Sequence, residues 1–141
     1  RNFFYKFNIY KCISKNRICD VLKGLLGKSY IKIMEKYFLG KFPESAMPGE
    51  VGNFSVAGHR VSDFTDAFIN LYKVKPGDKV IVTTKSGKYT YEVDESFIVE
   101  PEQVEVLDTA DYEKITLITC TIGSKRRVIV TGRLIDKSEK W

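Results

Sequence analysis

The sequence predicts a mainly β chain with one or two short helices, folded as an antiparallel barrel or sandwich. Three observations carry this reading. From residue 53 onward, short runs of alternating apolar and polar residues are separated by turn signals. Strand-like runs do not alternate with long helices, as a parallel βαβ sheet requires. The 141 residues are 43% hydrophobic and 13% aromatic, which supports one core and excludes a disordered chain. Closing such a sheet into a barrel would remove its exposed edges.

The elements follow in order. Residues 4–10 mix aromatic and polar side chains and read as a strand. Apolar residues at 18, 21, 22, 25 and 26 have helical spacing, with Gly27 as the stop. Residues 30–33 alternate as a short strand, and 34–39 suggest a helical turn ending at Gly40. Pro43, Pro48, Gly49 and Gly52 punctuate a loop over 42–52. Residues 53–59 alternate, with Phe54 and Val56 on one side and Ser55, Ala57 and His59 on the other. Within 63–72 a short helix starts near Thr65, carrying Phe64, Phe68 and Leu71 on one side. Lys75-Pro76-Gly77-Asp78 is a turn, 80–84 a strand, Ser86-Gly87 a hairpin turn and 89–99 a long strand. Pro101 interrupts it. Val104 and Val106 mark another short strand. Residues 115–120 and 127–135 are two more, joined by a short loop containing Gly123. That makes about eight strands, with no repeat or linker, so residues 1–141 are expected to form a single domain.

Charge is distributed unevenly. Residues 1–45 hold ten Lys/Arg against three Asp/Glu, net +7, while the remainder is net −2. The basic N-terminal third could face an anionic membrane or a phosphate backbone. No uninterrupted apolar run exceeds three residues, whereas a membrane-spanning helix needs roughly 20. Cysteines stand at 12, 19 and 120. Three cannot all pair within the chain, and Cys12 and Cys19, with one His in the whole sequence, make a poor zinc set. Asp63, Asp66, Glu100 and Glu102 are acidic loop positions that read as solvated charges rather than a cation site.

Three residues could together carry chemistry. Cys120 ends the apolar run Thr116-Leu117-Ile118-Thr119-Cys120 just before a loop, where a side chain is held rigidly yet reaches solvent. Arg127 opens the next strand. Alternation sets it with Ile129 and Thr131, opposite Val128 and Val130, which favours Arg127 over Arg126 as the residue facing a groove. Antiparallel neighbours lie about 5 Å apart across a ladder, so Cys120 and Arg127 can flank one spot. His59 is the single His. A thiolate attacks a carbonyl, an imidazole carries the proton, and a guanidinium stabilises the developing oxyanion. Together these residues compose a cysteine acyl-transfer site.

At these positions the chain resembles the sortases. Met47-Pro48-Gly49-Glu50-Val51-Gly52-Asn53-Phe54-Ser55-Val56-Ala57-Gly58-His59-Arg60 is similar to the family's catalytic-His segment, Thr116-Leu117-Ile118-Thr119-Cys120 to its nucleophile strand, and Arg127-Val128-Ile129-Val130-Thr131-Gly132 to its Arg strand. Lys75-Pro76-Gly77-Asp78-Lys79-Val80 and Tyr89-Thr90-Tyr91-Glu92-Val93 are also similar, so the resemblance covers about 42–135. It implies a closed eight-stranded, antiparallel-rich β-barrel and a cysteine transpeptidase of the Gram-positive cell surface. Such an enzyme cuts a sorting signal of the Leu-Pro-x-Thr-Gly or Leu-Ala-x-Thr-Gly type between Thr and Gly. Carried over, Cys120 is the nucleophile, His59 the proton carrier and Arg127 the oxyanion or substrate-positioning residue, with Ala57, Leu117 and Thr119 as substrate-binding positions. An amine on peptidoglycan or a pilin is the acceptor. No cofactor, metal ligand set or nucleic-acid partner is expected, and calcium dependence is left open. The resemblance also implies an extracytoplasmic, membrane-anchored enzyme whose anchor would precede Arg1. The wording around His59 is most like that of class E sortases of high-GC Gram-positive bacteria. That class usually continues Thr-Thr-Tyr-Gly after His-Arg, where residues 61–64 here are Val-Ser-Asp-Phe.

The main alternative is a basic β-barrel of the OB type that binds single-stranded nucleic acid. Against it, the net positive charge vanishes after residue 45, and the aromatics do not cluster with Lys/Arg on one strand. A hydrolase that passes the same acyl-enzyme to water is a further alternative.

Overall fold

The computed structural model describes residues 4–8, 39–41, 45–58, 68, 70–84, 87–121, 123 and 125–139. Among them are seven strands: β1 (Phe4–Asn8), β2 (Leu39–Lys41), β3 (Gly52–Gly58), β4 (Lys79–Thr84), β5 (Gly87–Val99), β6 (Glu113–Cys120) and β7 (Arg127–Glu139). They form one sheet in the order β1-β4-β5-β7-β6-β3-β2. β1 runs parallel to β4 and β3 parallel to β6; the remaining ladders are antiparallel. The expectation of a mainly β fold with little helix holds. Closure and the count of eight do not hold among the described residues. The sheet ends on one side at β1 and on the other at the three-residue β2, and no ladder joins these edges.

Several expected elements are changed by the fold. Val104 and Val106 lie in a 3₁₀ turn (Val104–Leu107) rather than a strand. Its Val106 and Leu107 pack on the core, and two of its neighbouring carbonyls are taken by Asn53. Leu39 and Gly40 belong to a strand rather than the end of a helical turn, because they pair with Gly58 and Ala57. Residues 71–73 form a 3₁₀ turn with Leu71 fully buried. The helix over 18–26, the strand over 30–33, Cys12 and Cys19, the acidic Asp63 and Asp66, and most of the basic N-terminal third lie outside the described residues. Among the described residues no helix is long and apolar enough to cross a membrane.

The core has a clear origin in the sequence. β4 turns Val80 and Val82 inward and β5 turns Tyr89, Tyr91 and Val93 inward; on β3, β6 and β7 the inward set is Phe54, Val56, Ile115, Leu117, Val128 and Val130. β3 is buried at every residue. It is flanked on both sides and parallel to β6, so its alternation separates two covered faces rather than core from solvent.

Turn chemistry fixes the register. In Lys75-Pro76-Gly77-Asp78 the Asp78 amide donates to the Lys75 carbonyl at 3.0 Å, and the Asp78 carboxylate accepts the Lys75 amide at 2.9 Å. Gly77 takes φ +94°, the left-handed position this turn requires. Further along, β5 bulges between Val93 and Glu95. The extra residue, Asp94, accepts a hydrogen bond from the Thr131 hydroxyl at 2.5 Å. Opposite the bulge, a Cβ on Gly132 would stand 2.7 Å from the Glu92 carbonyl oxygen, which leaves no room for any other residue.

Tyr91 ties the core to the 45–51 loop. Its phenol oxygen accepts the Gly49 amide at 2.8 Å from a fully buried position. Burial, which disfavours the phenolate, pushes its pKa from 10.0 up to about 12. The folded state therefore holds this proton more tightly than the unfolded chain does. Its contribution to stability is complete below pH 10 and is lost as pH rises towards 12. Denaturant unfolding across this range should show wild-type stability falling faster than that of Tyr91→Phe. Below pH 10 the variant should be less stable by about 1–3 kcal/mol, because the buried Gly49 amide loses its acceptor.

Candidate active site

The site forms where β6 and β7 meet their connecting loop. Cys120 is the last residue of β6 and Arg127 the first of β7, and the two are direct partners across the antiparallel ladder. Arg126 precedes the strand and is exposed. Cys120 is only partly buried, whereas the preceding residues 115–119 are buried. The thiol thus stands at the rim of a rigid strand, where it can meet a substrate.

One rung beyond this pair the loop is closed by Thr121 and Arg126. The Thr121 amide donates to the Arg126 carbonyl at 2.9 Å. The Arg126 amide does not return the usual bond to the Thr121 carbonyl; it donates to the Thr121 hydroxyl oxygen at 3.1 Å. The same hydroxyl donates to the Arg126 carbonyl at 3.3 Å. That carbonyl also accepts Nη1 of Arg127 at 3.1 Å.

The other side of the site is set by β3. Its parallel ladder with β6 runs from Gly52 opposite Glu113 to Ala57 opposite Ile118. Beyond it, the buried Thr119 hydroxyl donates to the Gly58 carbonyl at 2.7 Å. At the far end, Asn53 (2% exposed) accepts the Thr116 hydroxyl at 2.7 Å and donates to the carbonyls of Val106 and Asp108. β3 is therefore fastened to β6 at both ends by buried polar pairs. His59 follows Gly58 in the sequence and lies outside the described residues.

The three expected substrate-binding residues divide between the faces. Ala57 pairs with Ile118, two residues before Cys120, and so shares the face of Cys120 and Arg127. Leu117 and Thr119 pair with Val130 and Val128 and point to the opposite, core face. Ala57, Leu117 and Thr119 are all buried. Thr119 bonds the Gly58 carbonyl, a contact that the sequence pattern alone did not show. Thr121 was also missed; its signal was a hydroxyl residue directly before a Gly-containing loop. Glu100 and Glu102 are exposed, and among the described residues no three His, Cys, Asp or Glu side chains gather.

A partly exposed thiol thus stands opposite a guanidinium-bearing residue at a strand end. Residues 20–135 match the sortase domain family. The chain is 38% identical over 110 residues to sortase A of Streptococcus agalactiae, covering 74% of this chain and 44% of that protein. It is 32% identical over 136 residues to sortase SrtE1 of Streptomyces coelicolor, covering 85% and 38%. Among solved structures, sortase E1 from Streptomyces coelicolor with a tripeptide in its active site superposes with a TM-score of 0.69 at 30% identity, covering 80% of this chain and 79% of that one. The chain belongs to the sortase family. It spans about two fifths of the length of each of these two curated relatives. Sortases A and E both occur among these relatives, and none of them supports the nucleic-acid-binding alternative.

Thr119→Val keeps the shape of the buried side chain and removes the bond to Gly58. It should lower stability by about 1–2 kcal/mol in urea unfolding, since a buried carbonyl loses its donor. Substitution by Ser should recover most of that loss.

Proposed function

We propose that this chain is the catalytic part of a cysteine transpeptidase that cleaves a C-terminal sorting signal between Thr and Gly and passes the acyl group to an amine. The observation that carries this reading is the direct pairing of Cys120 with Arg127 at the open end of β6. Support comes from β3, whose last residue, Gly58, is held at Thr119 and is followed directly by His59. Consecutive Cα atoms are about 3.8 Å apart, so the fastened strand end limits how far His59 can lie from the residue before Cys120.

In this reading the Cys120 thiolate attacks the Thr carbonyl carbon and a carbon–sulfur bond forms. Negative charge collects on the carbonyl oxygen, which faces the Arg127 guanidinium. The carbon–nitrogen bond to Gly then breaks, and the His59 imidazolium gives its proton to the departing amine. An acceptor amine next attacks the thioester and surrenders a proton to the neutral imidazole. The carbon–sulfur bond breaks, and the thiolate and imidazolium are restored. Ala57, on the face of Cys120, is placed to help seat the substrate. Leu117 and Thr119 act from the core face by holding the strand.

The substrates proposed are secreted proteins with a Leu-Pro-x-Thr-Gly or Leu-Ala-x-Thr-Gly type signal. The acceptor is a peptidoglycan or pilin amine. The proposed location is extracytoplasmic and membrane-associated. The wording around His59 resembles that of class E sortases, and this resemblance implies Ala after Leu in the signal, so the Ala-containing signal is the first to test.

Intact-protein mass spectrometry after exposure to a small set of Leu-x-x-Thr-Gly peptides tests the reaction. A thioester adduct should form on Cys120 and be absent in Cys120→Ala, and triglycine should shift the product from free acid to amide. Adduct formation on Cys120→Ala, or none on the wild type with any peptide, would refute the proposal. His59→Ala and Arg127→Ala should each slow acylation at least ~100-fold. Because the thiol must be ionised while the imidazole is protonated, the rate should be bell-shaped in pH, and a rate that rises without limit would contradict the ion pair.

A further inference from the structure

Both backbone polar groups of Arg126, its amide and its carbonyl, are held by Thr121. Its amide donates to the Thr121 hydroxyl oxygen (3.1 Å), and its carbonyl accepts both the Thr121 amide (2.9 Å) and the Thr121 hydroxyl (3.3 Å). In a regular antiparallel ladder the Arg126 amide would meet the backbone carbonyl of residue 121. Here the hydroxyl takes that carbonyl's place as the ladder gives way to the loop, at a rung immediately outside the Cys120–Arg127 pair. The Arg126 carbonyl also receives Nη1 of Arg127 at 3.1 Å. The position of the Arg126 carbonyl thus fixes one anchor of the guanidinium, and Thr121 holds that carbonyl.

We infer that Thr121 is a positioning residue for the transpeptidation reaction: its hydroxyl clamps the Arg126 backbone at both amide and carbonyl, and through that carbonyl aims the Arg127 guanidinium at the carbonyl oxygen of the bound signal. The inference rests on the role proposed for Arg127 and deepens it. The effect belongs to the hydroxyl. Valine fills nearly the same volume but neither accepts the Arg126 amide nor donates to its carbonyl, whereas serine does both. The substrate ground state engages a positioned guanidinium weakly, and the oxyanion engages it strongly. Loss of the clamp should therefore appear in the acylation rate rather than in KM.

The experiment measures single-turnover acylation of the whole chain by the best of the Leu-x-x-Thr-Gly peptides, followed by mass spectrometry, alongside thermal melting. Thr121→Val is expected to acylate about tenfold more slowly at saturating peptide with KM unchanged. Thr121→Ser should recover most of the rate. In an Arg127→Ala background, Thr121→Val should cost nothing further, because the group it positions is already gone. A wild-type rate in Thr121→Val, an equal loss with and without Arg127, or failure of Ser to rescue in a variant that melts normally would each overturn the inference. Should Thr121→Val fold poorly, Thr121→Ala and Thr121→Ser carry the same comparison, and a loss that tracks melting temperature alone counts against a positioning role. No thioester on the wild type would instead remove the proposed function itself, so the two failures are distinguishable.

Discussion

The parallel ladder between β3 and β6 is the constraint on which the rest of the site depends. It joins residues 52–57 to 113–118 across more than fifty intervening positions. No short loop can make such a connection; parallel partners always need a long crossover. Two buried polar fastenings define its ends, Asn53 with Thr116 and Thr119 with Gly58. Buried hydroxyls and amides without partners are costly, so a slip of this register would orphan several groups at once. The ladder thereby holds the strand leading to His59 against the strand ending at Cys120.

The second constraint is the β6–β7 hairpin. Its apolar side chains build the core, and its open end is made of polar groups. Cys120 faces Arg127 across the last rung of the ladder, and Thr121 closes the loop by bonding both the amide and the carbonyl of Arg126. Strand geometry gives the thiol a fixed height, and the loop clamp gives the guanidinium a fixed anchor. A rigid scaffold carrying reactive groups at its rim suits acyl transfer, in which misplacement by an ångström is expensive.

Many elements were legible in the sequence because their causes are local. The alternation of residues 80–84, 89–99 and 127–135, the turn at 75–78 and the strand ending at Cys120 all reflect period-two patterning and Pro/Gly chemistry, and all appear in the fold. Val104 and Val106 misled because two apolar residues two apart fit a strand equally well. Their backbone instead follows the 3₁₀ turn whose neighbouring carbonyls Asn53 claims. Leu39-Gly40 misled because glycine usually stops a helix, while here β3 offers it a ladder partner. The expected closed barrel of eight strands was a property of the family pattern; among the described residues the edges β1 and β2 do not meet.

By itself the sequence determined the family, the order of the three motifs and the side of the strand on which Arg127 lies, because motif spacing and alternation are written along one dimension. Only the tertiary structure decided that Thr119 bonds the end of β3 and that Thr121 bonds the amide and carbonyl of Arg126. Those roles depend on which backbone groups from other parts of the chain arrive within hydrogen-bonding distance, and nothing in the local pattern of a threonine specifies its partner.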